Sequence, residues 1–119
     1  MVCNVEVFFG ILGYAVRTSS FGITFKRGPV EGFHLISFVD ADYASRSTDR
    51  RSVSGGVVMC AGGPASWQSK TQKCVTHSTA QAEYVAMSDM RKDILFLRQV
   101  WCFVLPKARM PCIAMYGDN

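Results

Sequence analysis

Apolar and polar residues alternate from Phe33 to Asp40 (F-H-L-I-S-F-V-D), with Ile36, Phe38 and Asp40 on one side and Leu35, Ser37 and Val39 on the other. A period of two predicts a strand with two distinct faces, and Asp40 emerges where it ends. The polar run D-Y-A-S-R-S-T-D-R-R-S that follows has the composition of a loop. Residues 52–61 (S-V-S-G-G-V-V-M-C-A) and 65–70 (A-S-W-Q-S-K) then flank Gly62, Gly63 and Pro64, which predicts an antiparallel hairpin. Within its first arm, Gly55-Gly56 predicts a bulge or a close approach of backbone.

The period changes to helical between Ser78 and Leu105. Glu83, Met87, Met90, Ile94, Leu97 and Trp101 recur in steps of four and three, one stripe of an amphipathic helix. Ser78 with Gln81 three residues on reads as a capping box, and Pro106 stops the helix. Glu83 falls on the stripe near the first turn. Pro111 to Tyr116 is a last apolar strand leading into Gly117, Asp118 and Asn119. At the other end, residues 2–17 predict a short helix weakened by Gly10 and Gly13, and Phe21, Ile23 and Phe25 then alternate up to a Gly28-Pro29 stop.

The order strand, hairpin, long helix, strand is that of an α/β or α+β mixed sheet. A helical crossover returns the last strand parallel to the first and beside it. Parallel neighbours bring their carboxyl ends together, so Asp40 and Asp118 are expected side by side, with Glu83 reaching in from the covering helix.

A length of 119 residues with 49% hydrophobic content bounds the chain to one globular domain or part of one. The net charge of +4 is compatible with a polyanionic partner without demonstrating one. Cys3, Cys60, Cys74, Cys102 and Cys112 are scattered, odd in number and without a C-x-x-C pair, which argues against a disulfide framework or a zinc knuckle and for free thiols in a reducing compartment. The apolar start is interrupted by Glu6 and too short to span a bilayer, so no signal peptide or membrane anchor is expected.

Asp40, Glu83 and Asp118 each sit beside an apolar run, where a carboxylate is costly to desolvate without a positive partner. Converging carboxylates repel unless one is protonated or a divalent cation binds, and Mg²⁺ suits an open, all-oxygen site. Two ions about 3.5 to 4 Å apart would activate a water and stabilise the leaving oxygen of a phosphodiester. Each acid also has an ordinary reading: Asp40 as a turn aspartate, Glu83 as the partner of Arg50 or Arg51, and Asp118 as part of a G-D-N turn. Asp42 is either an outer acid on the Asp40 face or a loop residue, and His77, just before the cap, is assigned nothing. Arg50 and Arg51 with Arg46 are candidate phosphate contacts or a solvated loop. Trp67 with Lys70 is a candidate stacking and neutralising pair for a nucleic acid strand, against a core role for the tryptophan.

The stretches V-D-A-D-Y-A, D-R-R-S-V-S-G-G-V-V-M, G-G-P-A-S-W-Q-S-K-T-Q, S-T-A-Q-A-E-Y-V-A-M-S and Y-G-D-N resemble, in order and spacing, the ribonuclease H domain of copia-type retrotransposon polyproteins. There the segments read D-A-D-W-A, D-R-R-S-T-S-G, I-S-W-x-S-K-K-Q, S-x-x-E-A-E-Y-x-A and C-D-N. The stretch I-L-G-Y-A-V-R-T-S-S-F-G-I-T-F is similar to the link that precedes that domain. The resemblance implies that residues 1–30 are the tail of a reverse transcriptase connection and residues 31–119 a ribonuclease H-like domain. It implies hydrolysis of the RNA strand of an RNA/DNA hybrid with two Mg²⁺ ions, Mn²⁺ serving in their place, ligated by Asp40, Glu83 and Asp118. The implied partners are the hybrid and the reverse transcriptase of the same polyprotein, the implied place an intracellular retrotransposon particle.

Tyr43, Gln81 and Gly117 depart from the usual Trp, Glu and Cys without removing a ligand. The family's fold also continues past D-N with a helix, a strand and commonly another acid or histidine, so an incomplete carboxyl-terminal part is expected here. The second reading is therefore an inactive remnant with a partial ribonuclease H-like fold that at most binds nucleic acid weakly. A third is an unrelated small α/β interaction module with its acids on surface turns.

Overall fold

The computed structural model describes residues 5–28, 34–46, 48–109 and 112–117. Cys3, the proline of the Gly28-Pro29 stop, Phe33, Pro111, Asp118 and Asn119 lie outside them. Six elements follow in chain order: α1 (Val5–Arg17), β1 (Leu35–Asp42), β2 (Val53–Cys60), β3 (Gly63–Thr71), α2 (Thr79–Val104) and β4 (Ile113–Gly117). The strands form one mixed sheet in the order β3-β2-β1-β4, antiparallel except for the β1–β4 pair. This is the mixed α/β sheet expected from the sequence. Residues 21–28, where Phe21, Ile23 and Phe25 alternate, form no strand; Lys26 N–H bonds the Ala61 carbonyl at 2.8 Å beside the hairpin turn.

Alternation in β1 follows from having one face covered. Leu35, Ser37 and Val39 are buried beneath α2, while Phe38 and Asp40 on the other face are exposed. The same parity carries across the sheet through the pairs Ser37↔Val58 and Val39↔Gly56 on the α2 side and Phe38↔Val57 and Asp40↔Gly55 on the open side. On that open face Phe38 stacks on Tyr116 of β4, ring centroids 5.7 Å apart.

The hairpin turn is tighter than the sequence predicts. Its two central residues are Ala61 and Gly62, at φ +50 and +80, while Gly63 and Pro64 already belong to β3. A two-residue turn with both φ positive matches the right-handed twist of the arms, and one glycine with one strained alanine suffices for it. The bulge also falls elsewhere than Gly55-Gly56. Register shifts after Val58↔Ser66 to Met59↔Pro64, leaving Ala65 unpaired on the edge strand β3, where a proline costs no ladder bond. Gly56 is instead the close approach: a Cβ there would overlap the terminal methyl of Met90.

Helix α2 is held at both ends as its sequence asks. Ser78 Oγ accepts from Gln81 N–H at 3.1 Å, and Gln81 Oε1 accepts in return from the N–H of His77, one residue before the cap. Leu105 closes the other end, its N–H bonded to the Trp101 carbonyl at 2.8 Å. The buried stripe is Ala82, Ala86, Met90 and Ile94, with Met87 and Leu97 flanking it. Glu83 is thus a half-buried flank position rather than a stripe residue, because the two short alanines let the first turns lie closest to the sheet. Helix α1, by contrast, buries none of its residues. Among the described residues no helix is long and apolar enough to cross a membrane.

The core contains an avoidable cost at Ser37, which is fully buried under α2 and whose Oγ has no hydrogen-bond partner among the described residues. A buried hydroxyl without a partner forfeits on the order of 1 to 3 kcal/mol of solvation. Ser37→Ala is expected to raise the unfolding free energy by about 1 kcal/mol after allowing for the lost packing, read as a higher urea midpoint at constant m-value; a lower midpoint would show that the hydroxyl is satisfied in solution. Cys60, Cys74, Cys102 and Cys112 are free thiols, and burial pushes the Cys60 thiol above its ordinary pKa.

Candidate functional site

One end of the sheet collects most of the residues singled out by the sequence. β1 ends at Asp42 opposite the first residue of β2, Val53, which in turn pairs with the last residue of β3, Thr71. The chain then turns directly into α2 through Gln72 and Thr76, both buried against Ser52, so the helix starts at this same end. β4 runs parallel to β1 and arrives with Gly117 beside Val39. Each residue of that pair directly precedes a candidate acid, Asp40 in β1 and Asp118 beyond the described part of β4.

Asp40 lies two residues inside β1 rather than at its end, because Ala41 and Asp42 continue the ladder to Ser54 and Val53. It is exposed, and its Oδ1 accepts from the N–H of Ala41 at 2.7 Å, leaving Oδ2 without a partner among the described residues. Its cross-strand neighbour is Gly55, where an added Cβ would meet nothing within 4 Å. There is therefore open space beside the carboxylate on that face. Asp42 shares the face and is the last strand residue, not a loop residue.

Glu83 stands one turn before Met87, whose terminal methyl fills the space at Gly117 that a Cβ would occupy. It makes no hydrogen bond or ion pair with any described residue. The pairing with Arg50 or Arg51 considered as its ordinary reading is not formed. Asp49 holds the loop cations instead, at 3.5 Å from Arg51 and 3.7 Å from Arg46, while Arg50 is exposed with its backbone at φ +55.

The two described acids reach this end from opposite faces of the sheet. Alternation gives Asp40 to the open face, and Glu83 belongs to the helix covering the other. Among the described residues, no three His, Cys, Asp or Glu side chains gather closely enough to hold a metal ion, and Asp118 lies outside that set. In donor chemistry the acids do suit Mg²⁺, for both offer carboxylate oxygens that no cation among the described residues engages.

The other candidates divide by face as well. Trp67 is 64% exposed on the open face beside Val57, so it is not a core residue. Lys70, three ladder positions further along β3, points to the α2 side, and the two cannot lie along one strand of nucleic acid together. Lys70 and Arg50 are, however, both exposed at the end that carries Asp40 and Glu83. His77 is exposed at the helix start, where only its backbone is engaged. The residue that sequence reading missed is Gln72: it is buried, and its Nε2 donates to Ser54 Oγ at 2.9 Å and to the Ala82 carbonyl at 2.8 Å. Its only sequence signal was position, one residue past the hairpin and six before the helix cap.

The architecture is thus that of a mixed α/β sheet in which Asp40, on the open face, and Glu83, on the covering helix, both stand at the end where the parallel strands finish. Comparison with known proteins gives it a lineage. The chain is 42% identical over 65 residues, 55% of its length, to the retrovirus-related Pol polyprotein from transposon TNT 1-94 of Nicotiana tabacum. Over 87 residues, 73% of its length, it is 34% identical to the retrovirus-related Pol polyprotein from transposon RE1 of Arabidopsis thaliana. An equal span is 34% identical to the secreted RxLR effector protein 161 of Plasmopara viticola. The matches cover 5% and 6% of the two polyproteins and 60% of the effector protein, so the chain spans only a small part of the transposon relatives. No family model and no solved structure matches. The chain is a homologue of retrotransposon Pol polyproteins of plants.

Proposed function

We propose that residues 31–119 form a ribonuclease H-like domain derived from a copia-type Pol polyprotein, with residues 1–30 the tail of its reverse transcriptase connection. In this reading the domain is an endonuclease acting on the RNA strand of RNA/DNA hybrids, with Asp40, Glu83 and Asp118 as the ligands of Mg²⁺. The observation that carries it is the parallel register of β1 and β4, which sets Val39 level with Gly117 at the end where α2 begins.

When bound, a pair of Mg²⁺ ions would supply an activated water and charge stabilisation at the leaving oxygen. The chain's own residues supply the rest. Asp40 offers a carboxylate oxygen without a described partner next to open space at Gly55, and Glu83 offers a second carboxylate that no described arginine neutralises. Arg50 and Lys70, both exposed at this end, would meet phosphate oxygens and hold the duplex in register without reading its bases.

The test is cleavage of a labelled RNA strand annealed to DNA, with the same RNA alone as control. Cleavage that requires Mg²⁺, stops on chelation and spares free RNA is expected. The separation of Asp40 and Glu83 onto opposite faces favours a second reading, a remnant that binds without cutting. Salt-sensitive, Mg²⁺-independent binding with no cleavage at any Mg²⁺ concentration would establish that reading and remove the first.

A further inference from the structure

Gln72 belongs to neither the hairpin nor the helix, yet it is 1% exposed and spends both donors of its amide. One goes to Ser54, the residue paired with Ala41; the other goes to the carbonyl of Ala82, which shares a peptide plane with the nitrogen of Glu83. Its backbone N–H is fixed as well, to the Ser52 carbonyl at 2.9 Å. A short chain of contacts therefore runs from Asp40 and Ala41 through Ser54 and Gln72 to Ala82 and Glu83. It crosses the sheet between two carboxylates that lie on opposite faces.

This tie is an expensive way to hold a helix. Gln72 Oε1 is buried without a partner among the described residues, and an apolar side chain of equal size would avoid that desolvation. Ser52 and Thr76, joined at 2.9 Å, already anchor the connecting segment, and the helix already has its cap. The Ala82 carbonyl is already part of the α2 backbone, so the Gln72 amide is an added donor there. What that added bond supplies, and neither of those anchors does, is a direct tie from the turn that carries Glu83 to Ser54, on the strand beside Asp40.

We propose that Gln72 is a positioning residue for divalent-cation binding, setting Glu83 relative to Asp40 through the Ala82 carbonyl and Ser54. The inference rests on the reading above, in which those two carboxylates hold Mg²⁺. Groups that orient metal ligands without touching the metal are worth about 10- to 100-fold in affinity.

The experiment compares the full chain with Gln72→Met, which keeps length and bulk but donates nothing, and Ser54→Ala, a milder change that leaves the bond to the helix. Mg²⁺ binding is followed by calorimetry without substrate, and hybrid cleavage is followed across a Mg²⁺ titration. Gln72→Met is expected to weaken Mg²⁺ binding and to raise the Mg²⁺ midpoint of cleavage by the same factor, about tenfold. The hybrid KM stays unchanged, and the rate recovers at saturating Mg²⁺. Ser54→Ala shifts both in the same direction by less, and keeps the test alive should Gln72→Met fail to fold. If the parent chain binds Mg²⁺ but cuts nothing, the nuclease reading falls while calorimetry still decides the role of Gln72. Lower stability with an unmoved Mg²⁺ midpoint makes Gln72 a structural brace and overturns the proposal, and so does a parent chain that binds no Mg²⁺.

Discussion

Asp40→Asn and Glu83→Gln are each expected to lower Mg²⁺-dependent cleavage of the RNA strand by at least about a hundredfold, the scale on which single preorganised charged or polar groups act in catalysis. Both substitutions preserve shape and remove only charge. An asparagine oxygen at position 40 can still accept from the Ala41 N–H, so β1 loses nothing locally. Glu83 has no described partner to lose. Stability should therefore stay within about 0.5 kcal/mol of the parent, as for surface changes away from packed or paired groups. That separation of effects makes the result interpretable, since activity falls while the urea midpoint stays. Asp89→Asn is the matched control, on the same helix and, among the described residues, ion-paired only to the exposed Lys92 at 2.7 Å. It should leave the rate near the parent's. Full activity in either Asp40→Asn or Glu83→Gln would remove that residue from the site, and full activity in both would end the nuclease assignment.

Signals of short range carried most of the fold. The alternation of Leu35, Ser37 and Val39 with Ile36, Phe38 and Asp40 survives in the structure because α2 covers one face of β1 and nothing described covers the other. Ser78, Gln81 and Leu105 delimit α2 because caps are local chemistry. The parallel placement of β4 beside β1 followed from the crossover rule alone. Features set by distant partners were less legible. β1 runs on to Asp42 only because Ser54 and Val53 are there to pair with it. The hairpin turns at Ala61 rather than at the Gly62-Gly63-Pro64 run because Gly63 is needed elsewhere: its Cα lies so close to the Thr24 carbonyl and the Phe25 ring that a Cβ would meet them at 2.7 and 2.9 Å. A period count could not tell a stripe residue from its neighbour, so Glu83 moved to the flank once Ala82 and Ala86 took the closest contact. Nor does alternation within β1 say which face a helix that begins at Thr79 will cover, which is why the opposite-face placement of Asp40 and Glu83 was invisible in the sequence.

Met90→Ala is expected to destabilise the fold by about 2 to 5 kcal/mol, a large share of what a small domain possesses. Met90 is fully buried and stands among Leu35, Val39, Val58, Ala86 and Ile94. Its terminal methyl lies over Gly56, and its sulfur lies 4.0 Å from the Gln68 amide. Truncation opens a cavity that Gly56, having no side chain, cannot help to fill. The converse change, Gly56→Ala, drives a methyl into the Met90 terminus and should cost about 1 to 3 kcal/mol by overpacking. Made together, the two substitutions put the alanine methyl at position 56 into part of the volume vacated at position 90. Residues sharing a cavity are non-additive, so the double variant should be more stable than the sum of the single losses by about 1 kcal/mol. Urea denaturation of the parent, both single variants and the double variant, read at constant m-value, measures that coupling. Strict additivity would mean that Met90 does not rest on Gly56. The packing that brings α2 down onto β2, two turns beyond Glu83, would then differ from the one described.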